Sequence, residues 1–181
     1  RERILDIFEQ VCGARLTYNY YRIGGLSADI PQGFQEKVKD FISYLKPKLK
    51  EYDDLITYNV ILLVRTKGIG VLTKEKALDY AISGPNLRAS GIKFDLRKEE
   101  SYSIYPRFEF EVPVKTTGDS WDRFKLRMEE MTQSLRIIEQ AIDNIPAGDF
   151  LAKLPKILKV PAGEIYFRSE SPRGELGFYL I

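Results

Sequence analysis

Apolar residues recur at Trp121, Phe124, Met128, Met131, Leu135, Ile138, Ile142 and Ile145, with gaps that alternate three and four. That is the spacing of one stripe on a continuous helix. Asp119 or Ser120 can cap its first turn, and Pro146 and Gly148 close its far end. At about 1.5 Å per residue such a helix runs roughly 40 Å, so it must lie along other helices to bury its stripe. In its first half Asp122, Arg123, Arg127, Glu129, Glu130 and Ser134 crowd around the stripe. The pattern predicts core packing along the far half and a polar, partly buried network along the near half.

The rest of the chain supplies the partners. Ile4, Ile7, Phe8 and Val11 predict the end of an amphipathic helix over residues 1–12, stopped by Gly13. Tyr18, Tyr20 and Tyr21 suit an extended core-edge strand between apolar and wet surroundings, closed by Gly24-Gly25. Pro31 is placed as a first helical residue ahead of an apolar face of Phe34, Val38, Phe41, Ile42, Leu45 and Leu49, which Pro47 should kink or divide. Asn59 to Arg65 is an apolar run read as a buried helix, because helices flank it. Gly68 and Gly70 mark a turn, and Thr73 caps a short helix carrying Ala77, Leu78, Ala81 and Ile82.

Residues 83–97 have no clear period. Arg88 and Arg97 within reach of Asp95 form either bidentate pairs inside an irregular loop or solvated charges on its surface. Phe108, Phe110 and Val112 alternate with Glu109 and Glu111, which predicts a half-buried strand. After a Pro-punctuated connector, Glu164–Arg168 and Glu175–Leu180 bracket Ser171-Pro-Arg-Gly as a β-hairpin with an outward loop. The fold class is therefore mainly α: a helical bundle around one long helix with a small β appendage, a single domain over residues 1–181.

Composition narrows the chemistry. A chain of 181 residues supports one domain with a real core. Lys and Arg number 28 against 26 Asp and Glu and are spread along the chain, which argues against a nucleic-acid surface. The single cysteine, Cys12, excludes an internal disulfide and a cysteine-held cluster within these residues. The absence of histidine removes the usual metal ligand and the usual general base near neutral pH. No apolar run reaches the roughly 20 residues that span a bilayer. Both ends look cut, so the chain reads as an internal piece of a longer protein.

No Walker loop, dinucleotide fingerprint, nucleophile elbow or metal-spaced cluster is present. Glu129-Glu130 resembles a carboxylate pair, but adjacent helical residues point about 100° apart and cannot face one site. No residue is therefore assigned as catalytic and none as a metal ligand. Asp122 with Arg123 and Arg127 is expected to form an ion-pair network.

Several blocks, taken together, resemble one family. They are Gly13-Ala-Arg-Leu-Thr-Tyr-Asn-Tyr-Tyr-Arg-Ile-Gly-Gly-Leu with Asp29-Ile-Pro, and Ser83-Gly-Pro-Asn-Leu-Arg-Ala-Ser-Gly with Asp95-Leu-Arg97. Gly118-Asp119, Asp122-Arg123, Arg127, Glu129-Glu130-Met131, Gln133-Ser-Leu-Arg and Glu170 with Arg173-Gly-Glu-Leu-Gly continue the series in order. They resemble the D subunit of respiratory complex I. The resemblance implies a fold shared with the large subunit of nickel–iron hydrogenases. It also implies a place in the peripheral arm of a proton-translocating NADH-quinone oxidoreductase, on the cytoplasmic side of the inner membrane. There the protein packs on a partner that holds the terminal iron–sulfur (4Fe-4S) cluster, and quinone binds between the two.

On this reading the fragment binds no cofactor itself, is inactive alone, and contributes Arg15, Thr17, Arg22, Arg88, Asp95, Arg97, Asp119, Asp122, Arg123, Arg127 and Glu130 to the partner interface. These are expected to converge on one wall. Two departures stand out. Many members carry histidine two residues after the arginine matched by Arg15, where this chain has Thr17. The connector from Ala147 to Gly163 is also short. Without an imidazole beside the partner's cluster, its potential should depend weakly on pH. The alternatives are a component of an F420-type or hydrogenase-like membrane complex and a non-redox helical adaptor.

Overall fold

In the computed structural model, which describes residues 1–181, the chain opens with α1 (Glu2–Cys12), stopped by Gly13 in the left-handed conformation at φ 72°. A small antiparallel pair follows, β1 (Tyr21–Arg22) against β2 (Gly25–Leu26). The tyrosine-rich segment is thus a surface hairpin and not a core-edge strand: Tyr21 is 85% exposed. α2 (Phe34–Tyr52) starts after Pro31, with Gly33 as its N-cap, and runs undivided through Pro47. Its irregularity comes later, in a single π-helical turn at Asp53–Thr57.

α3 (Val60–Thr66) is helical as predicted, capped by the Asn59 side chain accepting from the Ile61 N–H at 2.9 Å. It is not buried: Val60 and Val64 are 72% and 73% exposed. Its residues are apolar all round, while the molecule offers packing on one side only. α4 (Lys74–Asp79) has the predicted cap, Thr73. Residues 83–97 hold α5 (Gly84–Ala89) and the start of α6 (Leu96–Glu99), both too short for any period to reveal. The long stripe folds as α7 (Ser120–Asp143), 24 residues capped by Asp119. β3 (Ile165–Ser171) pairs antiparallel with β4 (Gly174–Leu180). The result is mostly helical with two small sheets.

The main core joins Val38, Phe41 and Ile42 of α2 to Leu135 and Ile142 of α7, with Ile7 of α1 packed on it. Both halves of α7 follow the expectation: the far half sends Leu135 and Ile142 into the core, and the near half carries buried Asp122 and the Glu130 network. Leu126 and Met128 in the near half are buried as well, while Met131 and Ile138 on the flank of the stripe remain more than a third exposed. The far half has neighbours along one side only.

Residues 108–112 are extended and alternate as predicted, with Phe108 and Phe110 buried, but they join no sheet. The N–H groups of Glu109 and Glu111 donate instead to the side-chain oxygens of Gln140 and Gln133 at 2.8 and 3.0 Å, and Gln140 returns a bond to the Glu109 carbonyl. Two glutamines on α7, two helical turns apart, stand in for a neighbouring strand.

The β3–β4 loop is not outward. Its tip docks on α5, and the open strand ends point away. A Cβ on Gly84 would lie 2.3 Å from the Gly174 Cα, and one on Gly174 would lie 2.6 Å from Ser83 Oγ. Ser83 Oγ accepts from the Glu175 N–H at 2.9 Å. Two glycines facing each other let backbone meet backbone where any side chain would intrude. No helix is long and apolar enough to cross a membrane.

Candidate functional site

Arg88 sits in the last turn of α5 and is 2% exposed. Its Nε and Nη2 donate to Glu130 Oε1 of α7 at 2.9 and 2.7 Å, and its Nη1 donates to Glu170 Oε1 of β3 and to the Phe94 carbonyl, both at 2.9 Å. Asp95 lies 3.7 Å from the same guanidinium and takes the Arg97 fork through both oxygens, at 2.9 and 2.6 Å. Burial pushes the Asp95 carboxyl up, but the hydrogen bonds and charge of Arg97, helped by Arg88, outweigh it and hold it below its ordinary value. Burial likewise opposes the Arg97 charge, and Asp95 reverses the effect, so its value is raised.

Of the two readings of residues 83–97, bidentate pairing is the one realised. The network contains two arginines and three carboxylates, and no buried side-chain nitrogen or oxygen lacks a partner. A fully satisfied network of this kind fixes one geometry, here by tying α5, α6, α7 and β3 together. Above it opens a cleft of about 630 Å³, walled by Arg97, Tyr105, Phe124, Arg127, Met131 and Ser134 among others. Arg127 forms no ion pair; its one hydrogen bond is a long one, 3.4 Å, to the Arg123 carbonyl.

A second group gathers at the start of α7. Asp119 Oδ1 accepts from the Asp122 N–H at 2.7 Å and its Oδ2 from the Gly68 N–H at 2.8 Å. Burial raises the Asp119 carboxyl, yet these N–H groups prevail and hold it low. Asp122 Oδ2 accepts from the Thr117 and Thr116 N–H groups at 2.9 and 3.2 Å. Arg123 donates to the Gly118 and Gly70 carbonyls and to Ser120 Oγ. The expected ion pairs between Asp122 and Arg123 or Arg127 do not form. The peptide groups of two incoming loops are nearer than either guanidinium and need partners themselves.

The third group lies apart. Arg15 pairs with Glu2, Asp6 and Glu9 of α1 at 2.6, 2.7 and 2.8 Å, and these bonds, Asp6 first, hold its charge firmly. Arg22 bonds Asn19 and the Tyr21 carbonyl. Thr17 is left-handed at φ 57°, with its hydroxyl on the Leu16 carbonyl. This hairpin attaches to the segment after α7, through Leu26 N–H to Phe150 O at 2.9 Å and Ala152 N–H to Gly24 O at 3.0 Å.

The candidates therefore do not converge on one wall. Arg88, Asp95, Arg97 and Glu130 form one cluster, with Arg127 at its cleft; Asp119, Asp122 and Arg123 form a second at the helix start; Arg15, Thr17 and Arg22 bond to neither, and their hairpin is tied to residues 150–152 after α7. Glu170, which completes the first cluster, was not among the candidates. Its signal was its place in the family's blocks, ahead of Arg173-Gly-Glu-Leu-Gly, and a carboxylate flanked by two serines in β3.

The buried charges of these clusters bind backbone and one another. That is the construction of a rigid framework, in which satisfied buried charges fix how the helices and the hairpin meet. The chain belongs to the family described as "Respiratory-chain NADH dehydrogenase, 49 Kd subunit", whose sequence model matches residues 1–159. It is 53% identical over 181 residues to the D subunit of the NADH-quinone oxidoreductase of Bacillus mycoides (strain KBAB4), covering 99% of this chain and 50% of that one. The corresponding D subunit of Bacillus anthracis is 51% identical over the same span, again with 50% of its length covered. The chain spans about half the length of the curated relatives it matches.

Proposed function

We propose that this chain is part of the D subunit of a proton-translocating NADH-quinone oxidoreductase, in which it helps wall a quinone site beside an iron–sulfur cluster held by a partner protein. The observation that carries the reading is identity of 53% along 99% of the chain to a protein of that name. The relatives' names favour it over an F420-type or hydrogenase-like complex and over a non-redox adaptor. With a single cysteine these residues do not fit a cysteine-held cluster, and the proposal gives the cluster to the partner protein. The hydrogenase-type fold, the peripheral position and the cytoplasmic side of the membrane belong to the same proposal.

Within it, the Arg88 network is the rigid floor, and Arg127, lacking a carboxylate, is the cation at the cleft that meets the partner. Arg15, Thr17 and Arg22 form a separate contact surface. The test introduces Arg127→Gln into the full-length chain within its assembled complex. Quinone reduction should fall several-fold while electron transfer from NADH to an artificial acceptor upstream is retained. Full quinone activity in the variant, or in cells lacking the chain altogether, overturns the reading. A second measurement concerns Thr17: the partner cluster's potential should vary little with pH, and a steep slope overturns that part.

A further inference from the structure

The β3–β4 hairpin is inside out for a self-contained domain. Its register pairs Ile165 with Leu180 and Phe167 with Phe178, and places Leu176 opposite Ser169 on the same face. Those five apolar side chains are 48% to 62% exposed. The opposite face carries Tyr166, Arg168, Glu170, Glu175 and Tyr179, and there the hairpin is bound through Glu170 to Arg88 and Arg168 to Glu100, while on the apolar face only Phe167 has a protein ring against it, that of Tyr102. A solvated antiparallel pair normally turns its polar face outward.

The edges add a second observation. The hairpin pairs with no other strand. The Glu170 N–H points out of the β3 edge to the Tyr102 hydroxyl at 3.0 Å, and the Glu175 N–H points out of the β4 edge to Ser83 Oγ at 2.9 Å. Antiparallel alternation gives the N–H groups of Gly177 and Tyr179 the same outward direction as Glu175. No protein backbone accepts from them. Residues 96–102 attend the edge of β3, while β4 beyond Glu175 is open.

The third observation is size. The accessible surface is 12850 Å². A folded chain of 20.9 kDa is expected to expose about 9,000 Å². The excess, about 3,900 Å², is several times the roughly 800 Å² that one partner contributes to a standard interface. It has the scale of a divided core, and the curated relatives contain as much chain again as is spanned here.

We propose that the apolar face and the β4 edge are covered by the other half of the same polypeptide, which adds a strand beside Gly177–Tyr179 and closes a core over Phe167, Leu176 and Phe178. This does not rest on the quinone reading. The test is amide hydrogen exchange on the full-length polypeptide made without the other proteins of the complex. The amides of Gly177 and Tyr179 should exchange at least about 100-fold slower than in unstructured chain. In the same material Phe178→Lys should lower the thermal midpoint. Fast exchange at both amides in the full-length chain overturns the proposal. So does protection that appears only when a partner protein is added, or only at concentrations where the chain dimerises. If Phe178→Lys does not fold, exchange on the unsubstituted chain decides the question.

Discussion

Arg88 of α5 and Glu170 of β3 are 82 positions apart and meet at 2.9 Å inside the protein. Both are almost completely withdrawn from solvent, and the same guanidinium also holds Glu130 of α7. One side chain thereby joins the irregular middle of the chain, its longest helix and its terminal hairpin. Arg88→Met would leave the buried Glu170 and the partly buried Glu130 without their cation, a loss of about 3–5 kcal/mol. Arg88→Lys keeps the charge but not the fork, and should fall between the two. Denaturant midpoints of the three proteins check the order.

Gly84 and Gly174 define how closely the hairpin tip approaches α5. Gly84 has φ +67°, and an added Cβ would stand 2.3 Å from backbone. Gly84→Ala should therefore cost about 2 kcal/mol or more, through left-handed strain and displacement of the tip. The displaced hairpin should show itself as faster exchange at the Glu175 amide, whose acceptor is Ser83 Oγ.

Asp119 works as an N-cap and as an anchor for the Gly68 turn. Asp119→Ala should destabilise by about 1–2 kcal/mol from the cap alone, with the released Gly68 N–H adding to it. Asp119→Asn keeps an accepting oxygen and should lose less. Thermal unfolding of both variants tests the ranking.

Stability should respond to acid in one direction. Asp95 and Asp119 are both held below their ordinary values, and so is Asp53, through Thr57 first and Lys125 after burial. A carboxyl with a lowered folded-state value contributes stability that is fully present above the unfolded value, about 3.9 for Asp, and is lost as pH falls through the folded one. Without histidine, no side chain adds an ordinary titration between about pH 5 and 8. The expected profile of denaturant midpoint is flat over that range and falls below about pH 4. A pronounced slope near about pH 6.5, the ordinary histidine value, would contradict it.

Thr17 is an exposed β-branched residue at φ 57°, a conformation that its branched Cβ resists. Thr17→Gly or Thr17→Asn should stabilise the isolated polypeptide by about 0.5–1 kcal/mol. A lower thermal midpoint for both would show that the hydroxyl bond to the Leu16 carbonyl outweighs the strain.

Periodicity and cap chemistry are local, and the elements that depend on them were legible in the chain: α1 with its Gly13 stop, α4 with Thr73, α7 with Asp119, and the β3–β4 pair. The family was legible as well, because its blocks keep their order along the sequence. Burial was less so. The apolar run of α3 and the outer face of β3–β4 carry core-like residues with no neighbour to cover them here. A one-dimensional pattern states that a side chain is apolar and leaves open what stands against it.

What the sequence determined by itself is which segments can be helix or strand and which protein family they serve, since both follow from residue types at fixed spacing. What only the tertiary structure decided is which charges are partners. Arg88 chose Glu130 and Glu170 over solvent, Asp122 chose the amides of Thr116 and Thr117 over Arg123 and Arg127, and Arg15 folded back onto the carboxylates of α1. Electrostatic pairing depends on separation in space and on the removal of water, and neither quantity is carried by distance along the chain.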